Sequence, residues 1–265
     1  MLTLKPSAIK DFLVCPLYFQ YKHVDELPED QKADQIYQES YLNTLKRVAS
    51  YFFYKRQAGK HVGFDALAKR WSKLWFQDDS DYTDFLKPTS KSNDVGKMVK
   101  YNTAAVAALE RFHAVFSEDD GIPLIIGETR TAQPTRNTRL TVDVDLMLHY
   151  DDGSRKVIKW FAGQPKFGKH FLNLELAATQ MAVTASGAHK KGMTYAMYDF
   201  SKPKARIEPV NLDSDDINNV IYRLKQIEER ATPNPNRGFT AYCSGCPFDS
   251  ECYHYVKSML RGGDE

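Results

Sequence analysis

Residues 242–253 read YCSGCPFDSECY and place Cys243, Cys246 and Cys252 within ten residues of one another. A Cys-x2-Cys spacing brings two sulfurs onto one turn of chain, which is half of a tetrahedral thiolate site. The chain has one other cysteine, Cys15, near its opposite end. If the two ends of the chain meet, Cys15 completes a set of four thiolates.

Two kinds of centre fit this cysteine pattern. Zinc is commonly held by two close pairs of ligands, whereas a cubane iron–sulfur cluster also accepts a three-plus-one arrangement of four thiolates. The spacing alone does not separate them. A disulfide or unrelated buried thiols are the remaining interpretations, and His23 and His254 are alternative ligands.

The composition predicts a soluble globular protein. The 265 residues are 42% hydrophobic and 26% charged, which suits one large domain with a sizeable core. No apolar run approaches the roughly 18 residues of a membrane span, and the N-terminus lacks the features of a signal peptide. We therefore expect an intracellular, cytoplasmic protein with no membrane partner, where structural disulfides are uncommon.

The charge distribution leaves nucleic-acid binding open. The formal net charge is only +2, but basic residues gather in several short stretches: KRQAGKH, RKVIKW, GQPKFGKH and SKPKAR. Each stretch taken alone is typical of a solvated surface. Together they are compatible with a basic groove.

Hydrophobic periodicity predicts an α/β (α+β) fold of one domain, residues 1–265. Residues 1–120 are expected to be mainly helical, residues 121–210 to form a small mixed sheet flanked by helices, and residues 211–265 to carry a helix and the cysteines. Residues 7–22 are predicted to form a short helix capped by Ser7, followed by an aromatic segment. Further helices are predicted over 31–58, 64–76, 97–116, 171–189 and 213–230, the last capped by Asp213 or Ser214. Strands are predicted over 124–132, 138–150, 155–163, 193–200 and 205–212, with loops at 78–96 and 231–252.

The two cysteine motifs together resemble those of a known family. The N-terminal motif has Ser7, Ile9, Phe12, Cys15, Pro16 and Tyr21 at the positions of S-x-I-x-x-F-x-x-C-P-x-x-F-x-Y, and the C-terminal motif is YCSGCPFDSEC. This pairing resembles the iron–sulfur branch of the RecB-like PD-(D/E)XK nucleases, which includes CRISPR-adaptation exonucleases and the AddB nuclease domain. The resemblance spans the chain and implies a restriction-endonuclease-like core of bacterial or viral type. It also implies that Cys15, Cys243, Cys246 and Cys252 hold a [4Fe-4S] cluster joining the termini.

The resemblance also implies where a catalytic metal site would lie. In the family, an Asp on one strand and an Asp or Glu on the next bind Mg²⁺ or Mn²⁺, and a Lys two residues later stabilises charge at the phosphate. Asp145, in TVDVDLML, matches the first acid, although Val142 replaces the usual glycine. Glu128 resembles the acidic residue often found on the preceding strand.

The second strand departs from the family pattern. Where Asp/Glu-x-Lys is expected, the chain reads Lys159-Trp160-Phe161. An ammonium in place of a carboxylate reverses the charge beside the metal, and a contact between unit charges at about 4 Å is worth about 4 kcal/mol at an effective dielectric of about 20. Tight binding of a divalent cation is therefore not expected, and Phe161 offers a phosphate no hydrogen bond.

Two helix motifs depart as well. The family's Gly-x-x-x-His pattern is missing from residues 36–47. The later Gln-x-x-x-Tyr motif is assigned to QMAVT, which keeps Gln180 but has Thr184 in place of tyrosine. Three independent departures predict that the catalytic site has decayed.

We therefore expect a DNA-binding or DNA-processing protein, a pseudonuclease that retains the fold, the cluster and affinity for single-stranded DNA or duplex ends. Lys159 would contact phosphates, and Trp160 and Phe161 would either stack on bases or simply pack in the core. One alternative is an active exonuclease with Mg²⁺ or Mn²⁺ at a site rebuilt around Asp143 and Asp145, with Lys156 or Lys166. If no such site exists, Asp143 and Asp145 would simply be polar residues on an exposed strand face. The other is a structural subunit that binds a protein partner in a DNA-processing or viral assembly.

Overall fold

The computed structural model describes residues 1–28, 33–77, 95–162, 169–188, 192–229, 243, 246–248 and 251–252. The described residues form six strands and seven helices, in the mixed α/β fold that the sequence predicts: one strand and five helices come first, and three strands, a helix, two strands and a last helix follow. The strands are β1 (Leu2–Leu4), β2 (Ile122–Ala132), β3 (Thr138–His149), β4 (Arg155–Phe161), β5 (Thr194–Asp199) and β6 (Ile207–Val210). The helices are α1 (Pro6–Val14), α2 (Pro16–His23), α3 (Ala33–Gln57), α4 (Phe64–Gln77), α5 (Val95–Ser117), α6 (Lys169–Ala185) and α7 (Ser214–Glu229).

Strand β3 is the centre of the sheet. Strand β2 pairs with it antiparallel along most of its length. On its other side β3 pairs first with β1, parallel, over residues 138–140, and then with β4, antiparallel, over residues 146–149. Strands β5 and β6 extend the sheet beyond β4. This side of β3 therefore has a gap at residues 141–145, between the end of β1 and the end of β4.

Helices cover both faces of the sheet. Helices α3, α4 and α5 bury an aromatic-rich core against one face, which includes Phe53, Trp71, Phe112 and Trp160. Helices α1, α6 and α7 pack against the other face in two smaller clusters. The result is a three-layer arrangement in which each apolar strand face has a helix to bury it.

The start of the chain differs from the prediction. Ser7 lies within α1 and not at its cap, because Pro6 already occupies the first helical turn and Lys5 is the capping position. Proline suits the first turn because its missing N–H would have had no partner there. Strand β1 was not predicted at all, since three residues are too few for a period-two pattern. The segment after Cys15 is a second helix, α2.

The other element predictions agree with the structure within a few residues. Asp213, one of the two cap candidates in the sequence, caps α7, because its carboxylate accepts hydrogen bonds from the N–H groups of Asp215 (2.9 Å) and Asp216 (3.0 Å). The predicted loop at 78–96 lies outside the described residues except for its last two, which begin α5, and most of the loop at 231–252 also lies outside them. Among the described helices, none is long and apolar enough to cross a membrane.

Candidate functional site: a closed ion-pair network at the sheet gap

Asp145 lies at the end of the gap in the sheet, where the regular alternation of β3 breaks. Val144 packs toward α6, whereas the next-but-one residue, Leu146, packs toward α3 and α5. Gly127, on the neighbouring strand between the partners of these two residues, has a φ of 62°, a conformation that favours glycine. This irregularity turns the Asp145 side chain into the gap, where it is 5% exposed. The interpretation of Asp145 as an exposed strand residue is therefore wrong.

Both oxygens of the Asp145 carboxylate already have donors. Oδ1 accepts a hydrogen bond from Lys46 Nζ at 2.8 Å. Oδ2 accepts one from the backbone N–H of Trp160 at 3.0 Å, which replaces a bond of the interrupted strand pairing. The Nζ of Lys159 lies 3.6 Å from the same oxygen. Two ammonium groups from different elements thus surround the one predicted metal ligand that the structure buries.

Lys159 is enclosed by acceptors. Its Nζ lies 3.1 Å from Glu175 Oε1 and donates to the Asp143 carbonyl oxygen at 3.0 Å, in addition to its contact with Asp145. Its side chain is only 7% exposed. Burial alone would lower the pKa of Lys159, but the charges of Asp145 and Glu175 outweigh it and raise the pKa above its ordinary value. Lys159 therefore stays charged at neutral pH, and it is not free to contact phosphates as we expected.

Glu175, on α6, and Lys46, on α3, are the two residues of this site that the sequence analysis missed. Glu175 lies five residues before Gln180, which corresponds to about 140° around a helix, so the two side chains point to different sides of α6. Gln180 is half-buried. No motif marks Glu175; only the burial of Lys159, which requires a carboxylate nearby, explains its place in the site.

Lys46 is the α3 residue that reaches Asp145, from 99 positions earlier in the chain. It lies in the segment 36–47, from which the family's Gly-x-x-x-His pattern is missing. Lysines on α3 and on β4, the latter at the position where an acid was expected, thus direct their ammonium groups at the same carboxylate.

Glu128 and Asp143 lie outside this network of side chains. Glu128 is paired with Arg130 at 2.5 Å on β2. The carboxylate of Asp143 accepts a hydrogen bond from Thr129 at 2.8 Å and lies 3.5 Å from Lys5 Nζ. Partial burial alone would raise the pKa of Asp143. The hydrogen bond from Thr129 and the positive charge of Lys5 have the larger, opposite effect, so the pKa of Asp143 is lower than its ordinary value.

The remaining candidate positions do not join the network. Trp160 is 1% exposed and packs on Phe53, so the core-packing interpretation is correct and stacking on bases is excluded for this residue. Phe161 is half-buried against the core beneath α6. Lys156 lies over the ring of Tyr150 at 4.7 Å, opposite Leu148 rather than Asp145. Lys166 lies outside the described residues.

The cysteine-bearing ends of the chain meet where the C-terminal motif packs against α2. Phe248 is buried, with its ring 5.5 Å from that of Tyr18 and 5.6 Å from that of Tyr21. The hydroxyl of Tyr21 donates to the carbonyl of Glu251 at 3.3 Å. Aromatic packing therefore joins the Cys15 segment to the C-terminal motif.

All four thiols lie in this junction. The N–H of Cys246 donates to the carbonyl of Cys243 at 3.1 Å, and that of Cys252 to Phe248 at 2.9 Å. The pKa of Cys246 is raised, mainly by burial and further by the proximity of Cys15, Cys252 and Cys243. Four clustered thiols are the donor set that zinc and cubane clusters use.

No group of three or more His, Cys, Asp or Glu side chains is arranged to hold a metal ion within the described residues. At Asp145 the reason is visible, since lysines stand among the carboxylates. At the cysteines, the other three thiols lie close enough to Cys246 to raise its pKa, but the four sulfur atoms are not arranged around one common point.

Comparison with known proteins supports one family. No curated protein matches the chain. Among solved structures, a protein from Eubacterium rectale described as a candidate exonuclease shares 10% identity at a TM-score of 0.48, with 90% of this chain and 86% of that chain covered. The structure of SSO0001 shares 11% identity at a TM-score of 0.41, with 94% and 84% covered. Neither likeness carries an argument about function.

The sequence match is decisive. The model of the PD-(D/E)XK nuclease superfamily matches residues 3–253, nearly the whole chain and both cysteine motifs up to Tyr253. The chain belongs to the PD-(D/E)XK nuclease superfamily.

Proposed function

We propose that this protein is a pseudonuclease, a PD-(D/E)XK domain that binds DNA but does not cut it. The observation that carries the proposal is the position of Lys159, whose ammonium group lies between Asp145 and Glu175 at 3.6 and 3.1 Å. Lys46 occupies the other oxygen of Asp145. Both ammonium groups stand where a metal-dependent nuclease needs a divalent cation.

The charge balance of the network opposes metal binding. Two carboxylates and two ammonium groups sum to zero, whereas hard cations bind where several oxygen ligands carry excess negative charge. A divalent ion entering the site would have to displace at least one buried lysine from its partners. The cost of leaving an ammonium buried without a partner is several kcal/mol.

Membership of a nuclease superfamily supports binding to nucleic acid, and the modest positive net charge of +2 is compatible with it. Lys159 and Trp160 do not contribute to binding, because both are buried. The DNA contacts are therefore assigned to exposed residues around the site.

We propose further that Cys15, Cys243, Cys246 and Cys252 hold a [4Fe-4S] cluster. The four thiols lie in one junction, as such a group requires. The cluster would supply a covalent link between the chain ends and no hydrolytic chemistry. Tyr18, Tyr21 and Phe248 would shield it from solvent and hold the two cysteine-bearing segments together.

The test is a cleavage and binding assay on protein purified without oxygen. End-labelled single-stranded and duplex DNA are incubated with Mg²⁺, with Mn²⁺ and with EDTA, beside the Asp145→Ala variant. We expect intact DNA in every lane and a salt-sensitive protein–DNA complex. Metal-dependent cleavage that disappears in Asp145→Ala would show instead an active site rebuilt around Lys159. Absence of any complex would favour a subunit that binds only a protein partner.

A further inference from the structure

One patch of the sheet next to the closed site is covered by none of the helices that the structure describes. Strand alternation places Arg139 and Thr141 on the face opposite the buried Leu140 and Val142. Strand register adds their cross-strand neighbours to the same face. We call this patch the threonine face; it consists of Thr3, Thr129, Thr131, Arg139 and Thr141.

Apart from Thr141, which is half-buried, every residue of the threonine face is exposed. The face ends at Asp143, whose carbonyl oxygen accepts the hydrogen bond from Lys159. It is therefore continuous with the ion-pair network at Asp145, although it includes none of the side chains of that network.

The chemistry of the threonine face fits a phosphate backbone. Hydroxyl groups and arginines are the side chains that bind phosphate oxygens without reading sequence. Arg136, exposed in the hairpin turn, and Lys5, at one edge, bring the local cations to three. They face two carboxylates, Asp143 and Glu228, of which Glu228 accepts hydrogen bonds from Thr135 and Thr138 at the same turn. The local net charge is therefore positive.

The same face is poorly suited to an unpaired strand. Proteins that bind single strands use aromatic rings on which bases stack. None of the described residues of the threonine face is aromatic, and Trp160 is buried in the aromatic-rich core. A duplex, whose bases are already stacked, requires only the backbone contacts that this face offers.

We infer that the threonine face is the docking surface for the sugar–phosphate backbone of duplex DNA, with Arg136 and Arg139 contacting phosphates. The inference rests on the proposed function, because it names the form of DNA and the residues that hold it. Binding is expected to be independent of sequence.

The test measures fluorescence anisotropy of a labelled duplex and of one of its single strands at several salt concentrations. Wild type is compared with Arg136→Glu, Arg139→Glu and the control Lys60→Glu. The control makes the same charge change on an exposed lysine beyond the opposite end of β2. Unfolding temperatures check that each variant is folded. If Arg139→Glu does not fold, Arg139→Gln replaces it in the comparison.

We expect duplex affinity to fall about tenfold in each arginine variant and to be nearly unchanged in Lys60→Glu. The slope of log affinity against log salt should become shallower by about one for each phosphate that a variant no longer binds. Equal effects of Arg139→Glu and Lys60→Glu would overturn the inference while leaving the proposed function standing. Tighter binding of the single strand would also overturn it. No binding of wild type to either DNA would overturn the proposed function itself.

Discussion

Replacing Lys159 with methionine is expected to lower the free energy of unfolding by about 3 kcal/mol, because it removes one ammonium group from a buried ion-pair network. Asp145 keeps Lys46 and the Trp160 N–H, but it loses the ammonium beside Oδ2. Glu175 is a third exposed and can be partly rehydrated, so its share of the loss is small. The effect is measured by denaturant-induced unfolding.

Lys156→Met is the matched control for Lys159→Met. It makes the same substitution three residues earlier on the same strand, where the ammonium group lies over an aromatic ring and pairs with no buried carboxylate in the described contacts. Lys156→Met is expected to lower the free energy of unfolding by less than about 1 kcal/mol. In a double-mutant cycle, Glu175→Gln should cost less in the Lys159→Met background than in wild type. Equal losses for the two lysine variants would show that the network does not stabilise the fold.

Replacing Cys15 with serine is expected to remove a broad absorption band near 400 nm and to cost about 4–5 kcal/mol of stability. A link between the chain ends restricts the unfolded chain as a long disulfide loop does, which gives that magnitude in the entropy model. That absorption band makes a protein with an iron–sulfur cluster brown, whereas a zinc–thiolate protein is colourless. Spectra and unfolding curves are recorded on protein kept under nitrogen.

Tyr21→Phe is the control for Cys15→Ser. It removes the hydroxyl that contacts Glu251 and leaves the ring that packs on Phe248, so its cost should be near 1 kcal/mol with the absorption band intact. A colourless wild type that still depends on Cys15 for stability would point to zinc. A colourless wild type indifferent to Cys15→Ser would contradict any shared metal centre.

Long periodic elements were predictable from the sequence because their pattern repeats. Helices α3 and α5 each span more than five turns, and β3 carries twelve residues, so errors of one or two residues at their ends matter little. Strand β1 has three residues and was missed. Its place in the sheet is decided by pairing with residues 138–140, which a local pattern does not encode.

The candidate site was predictable only where a motif survives. Asp145 was identified because it lies on a recognisable strand at the position of the family's first acid, and Lys159 because it stands at a position that should be acidic. Lys46 and Glu175 come from α3 and α6, and nothing in their own segments marks them. Their role follows from the three-layer packing, which brings both helices to one gap in the sheet.

Burial decided the roles that motif comparison left open. From the sequence, Lys159 was expected to contact phosphates. The structure encloses it instead among Asp145, Glu175 and the Asp143 carbonyl oxygen, with only 7% of its side chain exposed. The exposed threonine face, whose residues carry no family motif, is the better surface for DNA.

If ammonium groups occupy the place of the metal ion at Asp145, a Mn²⁺ titration should detect no manganese there. The titration is followed by electron paramagnetic resonance, on wild type and on Asp145→Asn, with the cysteine site loaded identically in both. We expect the two proteins to give the same titration curve. A Mn²⁺ ion bound by wild type and lost in Asp145→Asn would contradict this expectation, because the lysines would then have yielded the site to a divalent cation.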